Sequence, residues 1–292
     1  MTALVICHFV LAACARPLVR WLGARAFVVL ALPPAATTCW AFAQWDTAVS
    51  GGSVTWSWNW IPAYDVSVAL RLDALAELMV LLAAGVGTLV LLYCASYFSD
   101  DTPQLAGFAG NLLAFAGAML ALVLSDDLIT LYVFWELTTV FSYLLIGFDS
   151  EQRHSRRSAL QALTVTTLGG LAILPRTSLA VSVAIVLILC GVLSKSAIWP
   201  FSLWLPNAMA APTPVSAYLH AAAMVKAGVY LVARLAPGFA DVPVWRPVVM
   251  VLGAATMLLG GWRALRLNDL KLVLAYGTVS QLGFLTLLAG VG

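Results

Sequence analysis

Residues 128–148 read Leu128-Ile129-Thr130-Leu131-Tyr132-Val133-Phe134-Trp135-Glu136-Leu137-Thr138-Thr139-Val140-Phe141-Ser142-Tyr143-Leu144-Leu145-Ile146-Gly147-Phe148, with Glu136 the single charged side chain. A helix that crosses a bilayer needs about 20 mostly apolar residues, and lipid tolerates no unsatisfied backbone, so this run reads as a transmembrane helix. The rest of the chain repeats the pattern. Of 292 residues, 62% are hydrophobic and 10% charged, and the mean hydropathy is +0.97. Soluble domains carry about 25% charged and about 45–50% apolar residues, so a water-soluble globule is excluded. The expectation is an all-α polytopic transmembrane helix bundle. A net charge of +2 argues against a nucleic-acid partner. Cys7, Cys14, Cys39, Cys94 and Cys190 all lie in apolar runs without the close His spacing of a zinc site, so they read as inert small hydrophobes, with no metal and no cofactor expected.

Ten spans follow from this reading: Thr2 to Ala15, Ala26 to Trp45, Val68 to Phe98, Leu105 to Leu124, Leu128 to Phe148, Ala159 to Leu174, Leu179 to Trp199, Val215 to Leu235, Val244 to Trp262 and Leu270 to Val291. The first lacks a basic leader and is followed by Arg16-Pro17, so it reads as a span and not a cleaved signal. Basic residues cluster after spans one, five and nine (Arg16, Arg20, Arg25; Arg153, Arg156, Arg157; Arg263, Arg266), which puts those connections in the cytoplasm and the N-terminus outside. On the outer side, Gly51-Gly52 precedes Val54-Thr55-Trp56-Ser57-Trp58-Asn59-Trp60, whose alternation predicts a short extracellular hairpin with three indoles on one face. Trp45, Trp199, Trp245 and Trp262 end spans and read as an interfacial belt.

The ionisable residues inside the spans carry the functional information, because each is costly at membrane depth unless it faces protein or water. Glu136 is the ninth residue of its span and shares a helix face with Tyr132, Thr139 and Tyr143. It is either a proton-carrying group facing the bundle interior or a structural acid bonded to a neighbour. Lys195 stands just before Trp199-Pro200, where proline breaks or bends a helix. It either lines the cavity of a broken helix or snorkels to the interface. His220 and Lys226 follow the Pro212-Thr213-Pro214 start of the next span, and six residues of regular helix rotate them by about 120°. For His220, a ring bonded to a backbone carbonyl is the alternative to a functional role; Lys226 must pair, titrate or point into water. Lys271 aligns with Thr278 and Gln281 on the last span, as part of a polar stripe or as an ordinary surface lysine. Asp73 and Glu77 read as a local structural cluster near Arg71, and Asp126-Asp127 and the run Arg153 to Arg157 as solvated loop charges.

Acids and bases spread over successive helices influence one another's protonation, because charges attract or repel strongly in a low dielectric. Glu136, Lys195, His220 and Lys226 could pass protons through intervening water. No phosphate-cradling loop and no nucleophile-base arrangement is present in the sequence, so the chemistry is ion movement and the chain is not read as an enzyme.

Phe134-Trp135-Glu136-Leu137-Thr138, Ser194-Lys195-Ser196 with Trp204-Leu205-Pro206, Ala211-Pro212-Thr213-Pro214-Val215-Ser216-Ala217, His220-Ala221-Ala222-Ala223-Met224-Val225-Lys226-Ala227-Gly228-Val229-Tyr230 and Asp269-Leu270-Lys271-Leu272-Val273-Leu274-Ala275-Tyr276 with Ser280-Gln281-Leu282-Gly283 resemble the family of antiporter-like membrane subunits. That family includes the largest subunits of multisubunit (Mrp-type) Na⁺/H⁺ antiporters and the proton-pumping membrane subunits of respiratory complex I, and Lys226 in the His-containing motif makes the antiporter branch the more similar. The resemblance implies a proton-gating pair of Glu136 and Lys195, with His220, Lys226 and Lys271 continuing a central hydrophilic axis. It implies other antiporter subunits, protons, Na⁺ and the lipid bilayer as partners, and the cell (inner) membrane as the location. It also implies inverted repeats of helices: residues 1–104 as N-terminal helices with the hairpin loop, 105–236 as a first five-helix repeat shortened near 174–179, and 237–292 as the start of a second, incomplete repeat. Two rival readings stand beside it, a complex I-like subunit driven by electron transfer and a non-conducting truncated scaffold.

Overall fold

The computed structural model describes residues 1–61, 66–149, 153–171, 181–239 and 241–291. Among these, seven helices are long and apolar enough to cross a membrane: Ala15–Val49, Ala74–Tyr97, Leu105–Leu124, Leu128–Ile146, Thr213–Phe239, Trp245–Ala264 and Leu270–Val291. Two shorter apolar helices, Thr2–Ala13 and Ile185–Lys195, accompany them. The architecture is the expected all-α polytopic bundle, with several helices bent or broken, and it divides into two compact units, Met1–Phe148 and Asp149–Gly292. The sequence-predicted junction at 174–179 lies outside the described residues.

The first unit holds α1 (Thr2–Ala13), α2 (Ala15–Leu22), α3 (Ala26–Leu30), α4 (Leu32–Val49), a hairpin of β1 (Val54–Ile61) and β2 (Val66–Leu72), then α5 (Ala74–Tyr97), α6 (Leu105–Leu124) and α7 (Leu128–Ile146). Helix α6 packs against α1, α2, α5 and α7, and every residue from Leu112 to Leu124 is buried. The rings of Phe27, Phe98, Phe108 and Phe148 pack edge to face or stacked at one end of this core.

The hairpin forms as the alternation predicts, with Trp56 opposite Leu70 and Trp58 opposite Val68. The three indoles are exposed, at 37%, 57% and 49%. The third span therefore starts later than the sequence suggests, because residues from Val66 are strand and the helix begins only after Asp73 caps it, its carboxylate accepting from the Ala76 amide at 3.0 Å. Asp126 and Asp127 are likewise not simply solvated loop charges. Asp126 lies 3.9 Å from Arg71, which also faces Asp73 at 3.6 Å. Asp127 accepts from Ile129 and Thr130 at the start of α7 and from the Ala69 amide of β2. One carboxylate thus caps a membrane helix and fastens the hairpin to it.

The second unit runs through α8 (Arg153–Leu171), α9 (Val181–Lys195), α10 (Trp204–Asn207), α11 (Thr213–Val215), a π-helical segment Ser216–Ala222, α12 (Lys226–Phe239), α13 (Trp245–Ala264) and α14 (Leu270–Val291). Arg153, Arg156 and Arg157, expected in a loop, form the first turns of α8. Helices α13 and α14 make a tight antiparallel pair, because glycines let their backbones touch: a Cβ at Gly253 would lie 2.7 Å from the Leu287 nitrogen, and one at Gly260 2.7 Å from that of Ser280. Trp45, Trp199 and Trp262 are exposed as an interfacial belt requires, but Trp245 is 1% exposed. Its ring packs on Phe239 at 5.6 Å, which makes it a core residue instead.

Candidate functional site

The first unit contributes Glu136, on α7. The helix forms because an Asp127 cap precedes an unbroken apolar run, and the residue is half-buried with carboxylate oxygen Oε1 fully enclosed. The hydroxyls nearby are occupied by their own helix: Thr138 and Thr139 donate to the Trp135 carbonyl at 2.8 and 3.1 Å, and Ser142 donates to that of Thr139 at 2.8 Å. Of the stripe read from the sequence, Thr139 is therefore a backbone-bonded residue.

The other four residues belong to the second unit. Helix α9 stops at Lys195, ahead of Pro200, and the backbone turns through a left-handed Ala197 with φ 52°. Lys195 is fully buried, at 0% exposure, as a broken-helix position requires and a snorkelling lysine does not. The residue after it, Ser196, donates a 2.6 Å hydrogen bond to the Val225 carbonyl, so the end of α9 is tied to the start of α12. Lys195 and Lys226 flank that bond in sequence. Trp204 closes the same region by donating from Nε1 to the Ser194 carbonyl at 2.9 Å.

His220 and Lys226 do not share one regular helix. Residues Ser216–Ala222 are π-helical, with the Ala223 amide donating to Tyr218 and the Met224 amide to Leu219, five residues back in each case. Residues 223–225 are non-helical, and α12 begins at Lys226 itself. The rotation of about 120° assumes 100° per residue throughout, so it does not apply across this break. Lys226 is half-buried and opens α12 midway along the Thr213–Phe239 span, well inside it as the sequence suggests. His220 is 1% exposed. Neither ring nitrogen has a hydrogen-bond partner among the described residues, so the carbonyl-bonded alternative is not what the structure contains. Its ring packs edge-on against Trp204 at 6.1 Å. Ser216, one turn earlier, is also without a hydrogen-bond partner for its hydroxyl among the described residues.

Lys271 opens α14 as an exposed residue, but its ammonium donates to the Ala211 carbonyl at 3.2 Å and the Met209 carbonyl at 3.4 Å. It thereby caps the irregular backbone between α10 and α11. Thr278 donates to the Leu274 carbonyl and Gln281 is exposed, so the stripe below Lys271 does not continue as a line of available polar groups. Within this unit Lys195 and Lys226 stand at two chain breaks tied by the Ser196–Val225 bond, His220 lies in the π-helical segment before the second, and Lys271 caps a third irregular stretch between α10 and α11. Such backbone in a membrane protein must line protein or water.

Sequence reasoning passes over one buried acid. Glu77, assigned to a local cluster with Asp73, is 2% exposed and has no hydrogen-bond partner for either oxygen among the described residues. Asp73 joins the Arg71 cluster; Glu77, one turn on, turns into the core. Its position inside an apolar run is the available signal.

The family described as NADH:quinone oxidoreductase/Mrp antiporter, TM, matches residues 125–176 and 175–292. The family described as NADH-Ubiquinone oxidoreductase (complex I), chain 5 N-terminus, matches residues 58–108. The chain is 43% identical over 267 residues to the A subunit of the Na(+)/H(+) antiporter of Alkalihalophilus pseudofirmus, covering 83% of this chain and 33% of that protein. It is 43% identical over 270 residues to the A1 subunit of the Na(+)/H(+) antiporter of Staphylococcus aureus, covering 84% and 34%. It spans about a third of the length of these relatives. Among solved structures, the Mrp complex from Dietzia sp. DQ12-45-1b contains a chain 36% identical, with a TM-score of 0.88, covering 100% of this chain and 34% of that one. The membrane-bound sulfane sulfur reductase, an archaeal respiratory membrane complex, shares the fold at a TM-score of 0.81 and 22% identity, covering 99% and 64%.

Proposed function

Because the chain belongs to the NADH:quinone oxidoreductase/Mrp antiporter transmembrane family, we propose that it is a proton-conducting part of a multisubunit Na⁺/H⁺ antiporter in the cell membrane. In this reading Glu136, Lys195, His220, Lys226 and Lys271 carry protons in turn, and the partners are the other subunits of the complex. The observation that carries the proposal is the buried His220 imidazole, whose two nitrogens have no hydrogen-bond partner among the described residues. A neutral imidazole in that state offers one nitrogen that can accept a hydrogen and one N–H that can donate, so it can relay a proton through a water. In a low-dielectric site, a charge arriving on one group changes the proton affinity of the next, so a small movement of the Lys195 break relative to Lys226 shifts protons along the series.

The test uses vesicles containing the assembled antiporter. Glu136→Ala and Lys195→Ala should each abolish sodium-dependent proton flux while the complex still assembles. Unaltered flux in both would remove the pair from the mechanism. His220→Ala with flux intact would break the series at its middle.

A further inference from the structure

The break after Lys195 leaves a cavity of about 220 Å³ against the α13–α14 pair, and nothing in the proton series uses it. Its walls include Trp199, Pro200, Leu203 and Leu259, and its lip is Arg263 and Tyr276. From Arg263 the cavity extends two helical turns down α13 to Thr256, about 10 Å into the apolar layer. The Thr256 hydroxyl is already used, accepting from the Trp199 amide at 2.9 Å and donating to the Leu252 carbonyl at 2.7 Å. The apolar part of the lining is Trp199, Pro200, Leu203, Leu259 and Val279, and Ser202 adds a hydroxyl beside them.

The lip is cationic. The Arg263 guanidinium lies 5.7 Å from the Tyr276 ring centroid and donates to its hydroxyl at 3.4 Å. Arg266, three residues further along the chain and outside the cavity lining, lies 4.4 Å from the centroid of Trp262. Aromatic faces hold both planes in place without neutralising them. Neither guanidinium pairs with a carboxylate among the described residues. The nearest acid in sequence, Asp269, is engaged in capping α14 through the Leu272 amide at 3.1 Å. Of the leucines lining it, Leu203 and Leu259 are 54% and 44% exposed.

A cationic lip at Arg263, with a second arginine three residues further along the chain, above a slot walled largely by Trp199, Pro200, Leu203 and Leu259 matches an amphiphile with a phosphate at one end. We propose that this groove holds an anionic phospholipid, its phosphate between Arg263 and Arg266 and one acyl chain along Leu259 and Leu203. The positive-inside pattern places the same connection on the cytoplasmic side, where basic pockets between membrane helices take anionic headgroups. A free phosphate would leave the slot empty, and an apolar partner helix would leave two cations without counter-charge.

The experiment titrates phosphatidylglycerol, and separately phosphatidylcholine, into the full chain in neutral detergent and follows retained lipid by native mass spectrometry. The expected result is preferential retention of phosphatidylglycerol, weakened about thirty-fold by Arg263→Gln with Arg266→Gln. Leu259→Trp, which fills the slot and keeps both charges, should also weaken retention, whereas Arg246→Gln at the other end of α13 should not. Equal retention of the two lipids, or phosphatidylglycerol binding unchanged in the double variant, would overturn the proposal. So would full displacement of phosphatidylglycerol by inorganic phosphate, which would make the occupant a free anion. Loss of the bound lipid from the assembled complex would mean that a protein partner covers the groove, and would overturn it as well.

Discussion

Ser196 donates a buried 2.6 Å hydrogen bond to the carbonyl oxygen of Val225, joining the residue after Lys195 to the residue before Lys226. Both partners stand where a helix has just ended or is about to begin, so no backbone ladder fixes the distance between the two lysines. This bond does. Ser196→Ala leaves a buried carbonyl without that donor, a loss of about 1–3 kcal/mol. The expected outcome is a lower thermal midpoint in detergent together with reduced antiport by the assembled complex. Ser196→Thr keeps the hydroxyl and should recover most of the loss.

Gly228 tests the same contact from the other side. A Cβ there would collide with the Ser196 hydroxyl and lie 2.6 Å from the Val192 carbonyl. Gly228→Ala should therefore cost about 1–3 kcal/mol, the usual range for overpacking. Combining it with Ser196→Ala relieves the hydroxyl clash but not the clash with backbone at Val192. A double-mutant cycle in thermal or denaturant unfolding should show partial, not complete, compensation.

How far the sequence can be read depends on whether a feature is local. The apolar runs, the Trp56-Trp58-Trp60 alternation and the proline-marked break after Lys195 are properties of neighbouring residues, and all three stand in the structure. The π-helical segment Ser216–Ala222 has no such marker, because Ala223-Met224-Val225 would serve equally well in a regular helix. Its break is imposed by packing, including the Ser196 bond to Val225, so the sequence alone places Lys226 well inside the span but does not show that the helix is interrupted just before it. The second role of Asp127 is hidden for the same reason: a cap is a local feature, but its bond to Ala69 spans 58 residues.

That double role makes Asp127 a sensitive position. Asp127→Ala removes the acceptor for the Ile129 and Thr130 amides, at 2.9 and 2.8 Å, and for the Ala69 amide at 3.2 Å. Loss of an N-cap alone costs about 0.5–2 kcal/mol. Amide hydrogen exchange should accelerate in both the first turn of α7 and the β2 strand. Acceleration confined to α7 would mean that the hairpin is held by other contacts.

Two glycines of the α13–α14 pair should respond in opposite directions. At Gly253 a Cβ would meet backbone, 2.7 Å from the Leu287 nitrogen and 2.9 Å from the Gly283 carbonyl, and neither can swing away. Gly253→Ala should separate the helices and lower the thermal midpoint by an amount corresponding to about 1–3 kcal/mol. At Gly277 nothing lies within 4 Å, so Gly277→Ala should stabilise α14 by about 0.5–1 kcal/mol through backbone entropy.

Glu77 separates stability from transport most directly. Its side chain is 2% exposed and neither oxygen has a hydrogen-bond partner among the described residues, and burying a polar group in that state costs about 1–3 kcal/mol. Leucine has a similar volume and no polar atoms, so Glu77→Leu should raise the thermal midpoint of the chain in detergent. Glu77→Gln keeps two polar atoms in the same place and should change it little. A fall for leucine with no change for glutamine would mean that the acid is bonded to water. If instead both variants are at least as stable as the parent but sodium-dependent proton flux drops, the carboxyl serves transport, and the cost of burying it is retained for that reason.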